Sequence, residues 1–205
     1  MFGQLLALLG VIFATQATGL RCGSLFENLY GIYAHRSGAT SMTVENGGRW
    51  GGWCFKEFCK PGTYANGFIM KVEPAQGRGD DTALNGITIF CSSDNKKNIQ
   101  SIASEVAWWG GWTRPKWCPS GYLSTFRLRT EPAQGKGDDT AANNLQFRCT
   151  DGTTLSGDGT NWGSYGAWSQ TCRGKGICGM QTKIENKQGR GDDTALNDVH
   201  FYCCY

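Results

Sequence analysis

Histidine is scarce in this chain, with two in 205 residues, and no Cys-x-x-Cys pair occurs. Both absences argue against zinc, whose thiolate and imidazole ligands come closely spaced. No Gly-x-Ser-x-Gly elbow accompanies His35 or His200, so no nucleophilic triad can be assembled around them. The net charge is only +3, and the basic residues are scattered apart from Lys96-Lys97. Nucleic acid is therefore not expected as a partner. Beyond the first residues no apolar run is long enough to span a bilayer, so membrane insertion is not expected and the mature chain should be soluble. Helical periodicity is nearly missing as well.

What is present begins with an apolar run, Leu5 to Ala14, too short for a membrane span and followed by the small residues Ala17-Thr18-Gly19. This reads as an export signal over residues 1–19, although the usual basic start is lacking. All ten cysteines follow it. An even set of cysteines in an exported chain points to a disulfide framework. The remaining residues, 20–205, are enough for one domain with a real core.

One phrase is written three times. Glu73 to Asn85 reads Glu-Pro-Ala-Gln-Gly-Arg-Gly-Asp-Asp-Thr-Ala-Leu-Asn, and close copies run from Glu131 to Asn143 and from Glu185 to Asn197. Each reaches a cysteine at the same offset, namely Cys91, Cys149 and Cys203. The period of roughly 55 residues marks one supersecondary unit used three times. The repeats span about 40–97, 98–151 and 152–205, with residues 20–39 as an N-terminal extension.

Alternation can be checked in every copy. Before each glutamate lie Phe68, Met70 and Val72; Phe126, Leu128 and Thr130; Met180, Thr182 and Ile184. The interleaved positions are Ile69 and Lys71, Arg127 and Arg129, Gln181 and Lys183. After each phrase the inward set is Ile87, Ile89, Cys91; Leu145, Phe147, Cys149; Val199, Phe201, Cys203. Thr88, Gln146, Arg148 and His200 face the other way. These are half-buried antiparallel strands. Asn85-Gly86, Asn143-Asn144 and Asn197-Asp198 are expected in tight turns between them.

Upstream of each pair stands a tryptophan segment: Trp50-Gly-Gly-Trp53, Trp109-Gly-Gly-Trp112 and Trp162-Gly-Ser-Tyr-Gly-Ala-Trp168. Cys59, Cys118 and Cys172 follow them. Each unit is therefore expected to form its own Greek-key sheet of about four strands. Three sheets with one apolar face each can bury those faces only around a common axis, giving an all-β fold with pseudo-threefold symmetry. Economical pairing within each unit joins Cys59 to Cys91, Cys118 to Cys149 and Cys172 to Cys203, each bridge contributing about 3 kcal/mol. Cys178 then takes Cys204, with Cys172 to Cys204 an open alternative. Cys22 and Cys54 are left to join the extension to the first sheet.

The triple Gly-Asp-Asp-Thr-Ala-(Leu/Ala)-Asn phrase, Gly47-Gly48-Arg49-Trp50-Gly51, Ala65-Asn66-Gly67-Phe68 and Phe201-Tyr202-Cys203-Cys204 resemble the vitelline membrane outer layer protein 1 family. The likeness covers roughly Thr40 to Tyr205. It implies a β-prism of three Greek-key sheets, shared with some plant lectins, and a secreted protein of the egg's outer coat. It also implies four disulfides on the eight cysteines from Cys59 onward. Cys22, Cys54 and the extension depart from the family pattern.

Candidate functional residues are few. The pairs Asp80-Asp81, Asp138-Asp139 and Asp192-Asp193 could bind calcium or act as acid and base. A site needed once but written three times is better explained as loop structure, with aspartate accepting from loop amides. Arg78-Gly79-Asp80 and Arg190-Gly191-Asp192 spell an adhesion tripeptide but belong to the same repeated turn. Trp53, Trp112 and Trp168 are expected to fill the core, while Trp108, which breaks the repeat, is expected at the surface. Trp108, Asp80, Asp138 and Asp192 are the candidate glycan contacts. No metal or cofactor is implied.

The expected function is a non-enzymatic structural protein of an extracellular coat, partnered by coat or matrix proteins and with affinity for glycans. The competing class, implied by the resemblance alone, is an enzyme that transfers or hydrolyses N-acetylchito-oligosaccharides. Its carboxylates would have to break the repeat, as Glu27, Glu105 and Asp158 do, because near-identical loops cannot split one raised and one low pKa.

Overall fold

A computed structural model describes residue 22 and residues 36–74, 82–93, 100–131, 142–185 and 195–205. Fourteen strands and no helix occur among them: β1 Thr40–Met42, β2 Gly52–Trp53, β3 Glu57–Phe58, β4 Tyr64–Val72, β5 Leu84–Ser92, β6 Gln100–Ile102, β7 Gly111–Trp112, β8 Lys116–Trp117, β9 Leu123–Thr130, β10 Ala142–Cys149, β11 Thr154–Ser156, β12 Ser164–Tyr165, β13 Gly176–Ile184 and β14 Leu196–Cys204. They form three antiparallel sheets. Sheet I has the order β6-β5-β4-β7 with β8 also on β4, and sheet II the order β11-β10-β9-β12. Sheet III has the order β1-β14-β13-β2 with β3 also on β13. Sheets I and II are Greek keys, sheet III reaches the same strand arrangement with strands from both ends of the chain, and together they make a β-prism.

The inward sets meet on the axis. Phe68, Phe126, Phe147 and Phe201 are all buried. Phe126 and Phe147 each set an edge against Phe201, with centroids 4.8 and 5.0 Å apart. Phe68 lies 4.9 Å from Phe147. Met180 and Ile89 take the equivalent places in the sheets that supply no phenylalanine there, and both are buried. Burying one such side chain stabilises by about 1.5–3 kcal/mol.

Sheets and sequence repeats are out of phase. The tryptophan segment at the head of one repeat pairs with the long strand of the repeat before it: Gly111 with Val72, and Ser164 with Thr130. For sheet III the preceding repeat is the last one, so Gly52 from near the N-terminus pairs with Ile184. β1 closes the other edge, with Thr40 opposite Cys203. Each segment fills the open edge of the long strand in the preceding sheet.

This offset changes what the disulfides do. Cys59 hydrogen-bonds through its amide to Cys178 of sheet III, yet its sulfur is bonded to Cys91 of sheet I. Cys118 sits against Asn66 of sheet I and is bonded to Cys149 of sheet II. Cys172 sits against Ser124 of sheet II and is bonded to Cys203 of sheet III. Bridges that lie within one repeat therefore join different sheets, and the three close a ring around the axis. Cys178–Cys204 ties β13 to β14. Cys22–Cys54 fastens the extension to sheet III, not to the first sheet, because the Cys54 amide donates to Thr182 of β13.

Two bulges shape every long hairpin. The register shifts at Asn85, Asn143 and Asn197 near one end and at Asn66, Ser124 and Cys178 near the other. A bulge leaves one carbonyl out of the ladder and sharpens the strand's twist. Here each such carbonyl is used. Asn85, Asn143 and Asn197 accept from the amides of Ala107, Thr160 and Gly48, while the lower three accept from Cys118, Cys172 and Cys59. Asn85, Asn143 and Asn197 thus lie inside strands, fully buried, and not in the tight turns that their residue types suggest.

Candidate functional site

The three tryptophan segments gather at one end of the prism, beside the residues that lead into and out of the acidic loops. Each turns at a glycine with positive φ: Gly51 and Gly110 at 80° and Gly163 at 67°. A β-carbon at any of them would collide with the backbone of Ile184, Val72 or Thr130, respectively. Neither the φ nor the space admits another residue. A cation from the adjoining long strand then fastens each segment. Lys71 Nζ donates to the carbonyls of Ala107 and Trp108, both at 2.9 Å. Lys183 Nζ donates to those of Gly48 and Arg49 at 3.2 and 2.8 Å. Arg129 Nε donates to those of Trp162 and Gly163, both at 3.1 Å.

Held this way, the indoles face outward. Trp108 is 67% exposed, Trp50 63%, and Trp109 and Trp112 48% each. Trp53 and Trp168 are half-buried. The expectation that Trp53, Trp112 and Trp168 fill the core is thus overturned. The phenylalanines already occupy the axis, and residues 53 and 112 pair at sheet edges on the same side as Lys183 and Lys71. Trp53 instead lies 3.8 Å from His200, and Trp168 lies beneath guanidiniums. Trp108 is at the surface, in company with three other indoles.

Asp80, Asp138 and Asp192, with Asp81, Asp139 and Asp193, lie outside the described residues, as do Glu27 and His35. The base of the first acidic loop is described. Thr82 donates from its amide and its Oγ1 to Glu73 Oε2, at 3.3 and 2.6 Å. Asn85 Nδ2 donates to Thr82 Oγ1 at 2.7 Å and to the Ala83 carbonyl at 3.2 Å. Glu73, Thr82 and Asn85 are all buried, so three residues of the repeated phrase form one desolvated hydrogen-bonded unit. Asp158 is paired with Lys116 at 2.8 Å. Among the described residues no group of three His, Cys, Asp or Glu side chains comes together to hold a metal ion.

Sheet III carries a site that the repeat pattern does not single out. Burial raises the Asp198 carboxyl to about 6, although the Val199 amide and Lys183 act to lower it. His200, two residues on and on the same face, is pushed below its ordinary value by burial, with Lys56 and Lys183 adding to the effect. Gln181, outward by alternation, is nonetheless buried, donating to the Cys54 carbonyl and accepting from the Tyr202 hydroxyl. The only sequence signal for Asp198 is its departure from Gly86 and Asn144 at the matching positions. Gly47 packs directly on its carboxylate.

A family model described as vitelline membrane outer layer protein I matches residues 40–205. The chain belongs to that family. The vitelline membrane outer layer protein 1 homolog of Mus musculus is 51% identical over 169 residues, 81% of this chain and 84% of the relative. That of Homo sapiens is 46% identical over 201 residues, 96% and 95% of the two chains. Among solved structures, a mannose binding lectin from Champedak aligns with a TM-score of 0.51 at 13% identity, covering 83% of this chain and 100% of the lectin. Calystegia sepium agglutinin aligns with a TM-score of 0.51 at 13% identity, covering 80% and 94%. These last two share the β-prism fold.

Proposed function

We propose that this protein is exported and serves as a structural component of an extracellular coat, holding glycan at the indole end of the prism. The observation that carries the reading is the cluster Trp108, Trp109 and Trp112, three exposed rings on a segment fixed by Lys71 and by Gly110. Flat, rigid apolar faces suit the apolar face of a pyranose. Five disulfides suit a scaffold that persists outside the cell. The leader-like run Leu5 to Ala14 and the family relationship support the same reading. The Champedak protein, a mannose-binding lectin by name, is a precedent for sugar binding on this fold.

A neutral-glycan array read with wild type and Trp108→Ala tests the binding. Loss of every signal in wild type would remove the glycan half of the reading. One observation favours an enzyme instead: Asp198 carries a carboxyl at about 6, the range of a general acid. Incubation with N-acetylchito-oligosaccharides and product analysis decides between the two. Binding with unchanged oligomer lengths is expected. New lengths that vanish in Asp198→Asn would establish turnover.

A further inference from the structure

The outer face of sheet II carries cations and rings in alternation. Arg129 and Arg127 lie over the Tyr165 ring, with Cζ 5.4 and 4.8 Å from its centroid. Arg127 and Arg148 lie over the Trp168 ring, each at 4.7 Å. The order across the sheet is Arg129, Tyr165, Arg127, Trp168, Arg148. Strand register builds it. Positions 127 and 129 face outward on β9, position 148 faces outward on β10, and Tyr165 of β12 pairs with Arg129. Trp168 is held over the same face by its neighbour Ser169, whose amide donates to Phe126.

Stacking satisfies the faces of a guanidinium and leaves its N–H edges free to donate. Arg127 spends its Nε on Gln146 Oε1 at 2.7 Å, and Arg129 spends Nε on the two carbonyls of the tryptophan segment and Nη1 on Asn161. None of the three forms a salt bridge among the described residues; the ion pair found there is Lys116–Asp158. Among the described residues, three positive charges are thus held in a row with no ion-pair partner. The fold does not demand this. Positions 127 and 148 are Ile69 and Phe90 in sheet I, and Gln181 and Tyr202 in sheet III.

We propose that this face is a docking surface for an anionic polysaccharide, one bearing sulfate or carboxylate groups along its length. Guanidinium edges of Arg127 and Arg148 take the anionic groups as paired N–H donors, and the ring edges of Tyr165 and Trp168 lie against the sugars between them. The choice of a sugar polymer over other polyanions rests on the coat reading above. The surface lies on sheet II, whereas Trp108, Trp109 and Trp112 belong to the segment that pairs with sheet I.

The test uses full-length oxidised protein and titration calorimetry at low salt. Heparin is the sulfated probe, hyaluronan the carboxylated one, chitohexaose the neutral one and duplex DNA the non-sugar polyanion. Heparin or hyaluronan should bind, and affinity should fall as salt rises. Arg148→Gln, at an exposed position, should weaken that binding about tenfold, the worth of one charge-assisted pair. Lys60→Gln, which removes the same charge elsewhere, should weaken it less than about twofold. Arg127→Lys keeps the charge but loses the paired donors, and should still weaken binding. Trp108→Ala should leave it intact. Equal losses in Arg148→Gln and Lys60→Gln, or no binding of either acidic polymer, would overturn the proposal. Chitohexaose binding in that second case would leave the general glycan reading standing. DNA binding as tightly as heparin would overturn the assignment to a polysaccharide.

Discussion

Asp198 and Asn144 occupy the same place in two sheets and make the same hydrogen bond. Asp198 Oδ1 accepts from the Val199 amide at 2.8 Å, and Asn144 Oδ1 accepts from the Leu145 amide at 2.7 Å. They differ in one charge. Burial holds the Asp198 carboxyl at about 6 against an ordinary 3.8. Between those values the folded state keeps a proton that the unfolded chain has lost, so stability falls as pH rises through about 4 to 6 and stays lower above. Asp198→Asn should keep the bond and abolish the penalty. We expect it to be more stable than wild type by about 1–2 kcal/mol at pH 7 and indistinguishable at pH 4. Denaturant unfolding of both proteins at four pH values checks this. His200 works in the opposite sense, favouring the fold as pH rises, and cancels in the difference between the two proteins.

Glycines in the same left-handed conformation should differ sharply in tolerance. Gly110 and Gly62 both have φ of 80°. A β-carbon at Gly62 meets nothing within 4 Å, whereas one at Gly110 meets the carbonyl group of Val72. Gly62→Ala should cost about 1 kcal/mol, the strain of the conformation alone. Gly110→Ala should cost about 3 kcal/mol or more, because β7 must leave β4. Similar melting temperatures for the two variants would contradict this account of the tryptophan turn.

Thr82 should matter more than its size suggests. Its hydroxyl donates to Glu73 and accepts from Asn85 inside the protein. Thr82→Val keeps the shape and leaves both partners short of a bond. A loss of roughly 1–3 kcal/mol per unsatisfied buried group follows. Calcium should shift the melting temperature of wild type little, if the acidic loops are structural. A large calcium-dependent rise would mark them as metal sites.

The ring of bridges makes a distinct prediction. Intact mass of the oxidised protein should show every one of the ten cysteines bonded. Removing both Cys118 and Cys149 should cost about 3 kcal/mol, the chain-entropy value for such a loop. It should also open the boundary between sheets I and II, read as faster amide exchange in β8 and β10. Removing Cys22 and Cys54 should leave exchange in those strands unchanged.

Much of this protein is decided by sequence alone. Alternation with period two is a local property of the chain, so it assigns Phe68, Met70, Phe126, Leu128, Ile87, Ile89, Leu145, Phe147 and Phe201 to the core, where all of them lie. A phrase written three times implies three sheets about one axis. What repetition cannot state is which neighbour each edge chooses. That choice belongs to closure of the whole ring, and it places the N-terminal strands β1, β2 and β3 on the C-terminal hairpin. It also turns bridges within a repeat into bridges between sheets. The pleat tells which side a residue faces, not what waits there. Trp53 and Trp112 therefore read as core yet stand outside it, Gln181 reads as exposed yet is buried, and the repeated asparagines read as turns yet are bulges. Asp198 acquires its raised carboxyl, and Arg127, Arg129 and Arg148 their aromatic partners, only when distant strands come into register.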